Sequence, residues 1–153
     1  MQPFEINSYL SGADGVDATA KSLREFLLGD HAGRSHADRV SYSAAPHDPT
    51  GLIVQVLHAK LKVRFEYARY VTTDFKLISG QFIFTKKVGE TETDLPIRLR
   101  IVNPNNLVMP DGKVYQLPYP HTIQPYENIV WDALTYALLG EVLDSAEEWT
   151  LAA

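Results

Sequence analysis

The stretch LHAKLKVRFEY, residues 57–67, decides the fold, because apolar and polar side chains alternate along it without a break. Leu57, Ala59, Leu61, Val63, Phe65 and Tyr67 take one side of a two-residue period, and His58, Lys60, Lys62, Arg64 and Glu66 take the other. That spacing predicts a half-buried β-strand. Such a strand needs hydrogen-bonded neighbours beside it and a cover over its apolar side.

The chain that follows supplies the neighbours. Thr72-Thr73-Asp74 is turn-like, residues 75–87 read as a second strand with Gly80 near its middle, and Gly89-Glu90-Thr91 turns the chain again. Residues 96–102 alternate, with Ile97, Leu99 and Ile101 opposite Arg98 and Arg100. A further turn is expected at Asn103-Pro104-Asn105-Asn106, and Pro110-Asp111-Gly112 joins residues 107–109 to 113–115 as a tight hairpin. Short sequential connections make the sheet antiparallel. Upstream, LIVQV (residues 52–56) reads as the beginning of the same long strand, the alternative being a short helix with Pro49 at its first position.

Helices are expected at both ends. After a short strand around residues 4–9 and a loop at 11–15, Asp17 suits the N-cap of a helix running to Leu28, with Leu23, Phe26 and Leu27 on one face and Gly29 ending it. Residues 116–125, QLPYPHTIQP, should cross the surface as an extended segment. A long helix is expected from Tyr126 to Asp144. Ile129, Val130, Ala133, Leu134, Ala137 and Leu138 form its stripe, Asn128, Asp132 and Thr135 its polar strip, and Trp131, Tyr136, Leu139 and Leu143 fall outside both. A helix apolar over most of its circumference wants burial on two sides, so these last four are the expected interface residues. The fold class is therefore α+β: one domain (1–153) with an antiparallel β-meander of four to six strands, flanked by an N-terminal helix and a long C-terminal helix.

A chain of 153 residues with 45% hydrophobic content can bury a core without staples. The absence of cysteine excludes disulfides, thiolate nucleophiles and Cys-ligated metal sites. No cofactor or metal is implied. The N-terminal stretch lacks a basic start followed by an apolar core, and no run reaches membrane-spanning length, so the expectation is a cytoplasmic protein away from the membrane. The net charge of −5 argues against a dedicated nucleic-acid binder. Charge is unevenly spread. Residues 54–104 carry nine bases against five acids, whereas residues 105–153 carry seven acids against Lys113 alone.

Several groups are candidates for chemistry. GVDATAKS (residues 15–22) nearly spells a phosphate-binding loop, but Ala20 replaces the second glycine and an antiparallel sheet is the wrong setting, so it reads as a helix start with Lys21 in solvent. Residues 30–50 form a long connection holding a short strand at 40–43, and a loop of this length is more often functional than decorative. Within it His31, His36 and Asp38 are the candidate catalytic residues, with atom types that suit a divalent metal or general acid–base chemistry, although positions five apart share no helical face. Lys62, Arg64, Arg98 and Arg100 would make a basic patch for an anion or RNA backbone if their strands are adjacent. The plain alternative is a solvated face paired with Glu66 and Glu92. Tyr119 and Tyr126, in the Pro-rich segment, are candidate binding residues or part of a strap over the sheet edge. The ending Leu151-Ala152-Ala153 resembles the last residues of the bacterial tmRNA degradation tag, or is a frayed terminus.

The leading functional expectation is a non-enzymatic cytosolic protein acting through protein–protein contacts or self-association. It would be an oligomeric structural component of a phage or secretion-type assembly, or a small inhibitor or immunity-type protein. The alternatives are a small enzyme or ligand-binding protein with its site in the 30–50 loop, and RNA binding by the basic sheet face.

Overall fold

The computed structural model describes residues 1–103 and 105–152. Pro104 and Ala153, on which parts of the expected 103–106 turn and of the Leu-Ala-Ala tail fall, lie outside the described residues. The order of elements is α1 (Pro3–Leu10), α2 (Ala13–Leu28), β1 (Val40–Ala44), β2 (Leu52–Val56), β3 (Ala59–Val71), β4 (Lys76–Val88), β5 (Thr91–Val102), β6 (Asn106–Val108), β7 (Val114–Gln116), a 3-10 turn (Gln124–Tyr126) and α3 (Glu127–Asp144). The strands form a single antiparallel sheet in sequence order, a meander of seven rather than four to six.

Part of the extra count comes from the deciding stretch itself. Leu57 and His58 are not strand but the two-residue turn between Val56 and Ala59, with Leu57 at φ 55°. Two-residue hairpin turns take such positive angles, normally with Asn, Asp or Gly, so an apolar residue there hides the turn inside an alternating run. The short strand expected at residues 4–9 is instead α1, with Pro3 in its first turn. The second helix starts at Ala13, so Asp17 lies inside it rather than capping it. Gly29 ends it as expected, its N–H donating to Phe26 O at 3.0 Å.

The register explains which face is buried. Val63 stands opposite Leu52 on β2 and Phe84 on β4, and Phe82 opposite Leu99 on β5, so one face gathers the apolar side chains of these four strands. Val16, Ala20, Leu23 and Leu27 of α2 and Val130, Trp131, Leu134 and Leu138 of α3 complete the same core, which puts both long helices on that face. The other face carries Lys62, Arg64, Gln81, Arg98 and Arg100. Between Ile83–Arg98 and Thr85–Asp94 the ladder slips, with Leu95, Pro96 and Ile97 opposite Phe84 alone. Pro96 has no N–H to lose at this bulge, and Arg98 Nη1 donates to the carbonyls of Leu95 at 2.6 Å and Ile97 at 3.1 Å. Among the described residues no helix is long and apolar enough to cross a membrane.

Gly80 is the tightest point beneath α2. A Cβ there would sit 2.5 Å from Phe65 Cε2 and 2.9 Å from Val16 Cγ1. Gly80→Ala is therefore expected to destabilise the protein by about 1–3 kcal/mol through overpacking, read as a lowered midpoint in urea unfolding. An unchanged midpoint would mean that α2 does not press on the sheet here.

Candidate functional site

The histidine-bearing loop is built into a clamp between the two long helices. His31 pairs its Nε2 with Leu27 O at 3.0 Å, meets Phe26 edge-on, and stacks on Trp131 with ring centroids 4.2 Å apart. Trp131 Nε1 donates to Ser35 O at 2.8 Å. Arg34 lies over the Phe26 ring at 5.2 Å and reaches α3 through Asn128 Oδ1 and, at 3.3 Å, Glu127 Oε2. His36 packs edge-on against Tyr136, and Asp38 pairs with Arg39 at 3.2 Å. His31 and Asp38 line one shallow cleft with Arg34, while His36 lies outside it. Each candidate catalytic residue thus has a separate structural partner, and only two of the three share the cleft. Among the described residues no group of three or more His, Asp or Glu could hold a metal ion. Among the described residues three buried polar atoms have no hydrogen-bond partner: His31 Nδ1, Tyr42 Oη and Thr135 Oγ1. Burial pushes the Tyr42 hydroxyl well above its ordinary pKa, and Thr135, expected on the polar strip of α3, is in the core.

The structure does bring Lys62, Arg64, Arg98 and Arg100 onto one face, together with carboxylates. Arg64 grips Asp94 with two parallel bonds, Nη1–Oδ1 at 2.7 Å and Nη2–Oδ2 at 2.9 Å, and also bonds Thr85 and Glu66. Lys62 reaches Glu92 at 2.9 Å and Arg98 stands 4.0 Å from Asp94, leaving Arg100 with Gln81. Cross-strand pairing of this kind uses up most of the positive charge. The Arg64 hydrogen bonds hold the Asp94 carboxyl down at about 2, and Lys62 lowers Glu92.

In the strap, Tyr126 donates to Gln116 O at 2.9 Å and packs beside Tyr115, whereas Tyr119 is exposed. The four expected interface residues of α3 divide. Trp131 and Leu139 are buried in the protein's own core, while Tyr136 is 57% and Leu143 61% exposed. With Ile129, Ala133, Ala137 and Gly140 they give α3 an outer face that is apolar or small, interrupted only by Asp132 and ended by Asp144.

Two features lie outside the sequence-based candidates. One is a cleft of about 590 Å³ between α2 and β3–β4, with Ala20, Phe65 and Phe82 among its lining and Asp17, Lys21, Arg24 and Glu25 along one side. Positions 17, 21, 24 and 25 share a helical face, which is the signal the sequence holds. Tyr67 donates to Asp17 Oδ1 at 2.6 Å, and that bond lifts its hydroxyl to about 12. The other is an apolar surface where α1 meets β3 and β4. Ile6, Leu10, Tyr67 and Ile78 line a depression there, and Phe4, Tyr70, Val71 and Phe75 are exposed large hydrophobics of the same elements and the turn joining them. Comparison with family models, with curated proteins and with solved structures finds no match.

The Asp94 pairing has a pH signature. Its carboxyl falls from an ordinary 3.8 to about 2 on folding, so the stabilisation is complete above the unfolded value and is lost as pH drops toward 2. Asp94→Asn should unfold at lower urea than the parent near neutral pH, modestly because the pair is exposed, and the gap should close by about pH 2. A gap that is independent of pH would contradict the pairing.

Proposed function

We propose that this protein works through contacts between its own copies, as an assembly component joined head to tail. The observation that carries this is the pair of uncovered apolar surfaces on different elements. The first is the α1 surface with the β3–β4 turn, where Phe4 is 73% and Phe75 60% exposed; the second is the outer face of α3, which is followed along the chain by exposed Trp149 and Leu151. Contiguous apolar surface that a chain does not cover itself marks an interaction site.

Charge favours unlike over like pairing. The α3 surface carries Asp132, Asp144, Glu147 and Glu148 with no base on α3 or in residues 145–152, so two such faces repel. The α1 surface is balanced, with Arg69 and Lys76 against Glu5 and Asp74, and accepts an acidic partner without that penalty. A contact between two different surfaces of one chain is heterologous, and it closes as a ring or grows as a filament according to its angle.

Leu10→Lys disables the first surface and Leu143→Lys the second. By light scattering each variant alone should be monomeric, and an equimolar mixture should form a dimer and stop, because only one intact surface of each kind remains. A mixture that stays monomeric, or one variant that still associates alone, would overturn the head-to-tail contact.

A further inference from the structure

We infer that the cleft between α2 and β3–β4 is a binding site for a monocarboxylate with an apolar body, its carboxylate held by Arg24. This inference does not depend on self-association: the cleft lies apart from the outer face of α3 and shares only Tyr67 with the lining of the α1 depression. Its volume of about 590 Å³ is that of a small-ligand pocket. Phe65 and Phe82 stand directly opposite each other on β3 and β4 with rings 5.2 Å apart, and with Ala20 they offer an apolar bed. Gly80 lets the Phe65 ring lie flat against the sheet, since a Cβ there would meet its Cζ at 2.6 Å.

The charge pairing around this bed selects the headgroup. Lys21 stands 4.0 Å from Glu25, Glu66 is held by Arg64 at 3.3 Å, and Asp17 accepts from Tyr67. Among the described residues, Arg24 is the lining cation that no carboxylate pairs with. Its one hydrogen bond among the described residues runs from Nε to Gly51 O at 3.2 Å, which ties down the guanidinium and leaves both terminal amino groups free to donate. A guanidinium fixed in this way presents the two parallel donors that match the two oxygens of a carboxylate, and little freedom is lost on binding. The carboxylates of Asp17, Glu25 and Glu66 around the same cleft disfavour a doubly charged headgroup such as a phosphate monoester. An aryl or medium-chain alkyl carboxylate satisfies both the bed and the Arg24 guanidinium.

The test uses the full chain and three probes of one length: decanoate, decanol and decylammonium, titrated by calorimetry. Decanoate should bind at one saturable site more tightly than the other two. Arg24→Gln should weaken decanoate by about tenfold or more, the effect of losing a charge-assisted bond, and leave decanol unchanged, which shows the bed intact. Leu143→Lys and Leu10→Lys should each bind decanoate like the parent, separating this site from both assembly surfaces. The inference is overturned by the absence of saturable decanoate binding at millimolar concentration, by decylammonium binding as tightly as decanoate, or by an affinity that Arg24→Gln leaves untouched.

Discussion

A sheet whose apolar side chains point mostly one way has to be covered on that side, and the rest of the molecule is arranged around that cover. Two helices from opposite ends of the chain share the task, α2 against β1, β4 and β5, and α3 against β2. They come from distant parts of the sequence, so something has to fix their spacing, and the loop after α2 does it. Trp131, 1% exposed, is seated under His31 and tied to Ser35, while Arg34 reaches across to the first turn of α3. The polar residues of this loop act as mortar between apolar elements, which explains why their side chains are dispersed among separate partners.

The charged face is the complement of the same rule. With both helices on one side, the other side stays in water and its long basic side chains find carboxylates across the strands. Ile83, between Arg64 and Arg98 in the register, is 2% exposed even though it lies on this face, because the stems of long cationic side chains cover apolar surface while their heads stay solvated. The arginines here serve as roof as well as charge. The uncovered apolar surfaces lie elsewhere, on α1 and on the back of α3.

What the sequence disclosed was periodicity, and what it concealed was punctuation and convergence. The alternations at 61–67 and 97–101 were legible because each strand has one wet and one dry face, and α3 was legible from its length and apolar spacing. The β2–β3 turn was hidden because Leu57 takes a left-handed angle without a turn-forming residue to announce it. The segment at 4–9 was misread because Phe4 and Ile6 imitate a two-residue period over too few residues, while Pro3 starts a helix there. Thr135 and Tyr136 show the limit of a helical wheel: their burial depends on where the sheet lies, so the polar residue is inside and the aromatic one outside. The cleft was illegible for a related reason. Asp17, Lys21, Arg24 and Glu25 look like any solvated helix face until the register brings Phe65 and Phe82 beneath them.

The central claim is that the surfaces left uncovered by this arrangement are where copies meet, and that the meeting is apolar. The most direct measurement is sedimentation velocity of the unaltered protein over a concentration series, at low and then at high salt. The account predicts a mass that rises with concentration and persists at high salt, since apolar burial is not screened. A monomer at every concentration would contradict the claim, and an assembly that falls apart in salt would shift the contact to the charged face of the sheet.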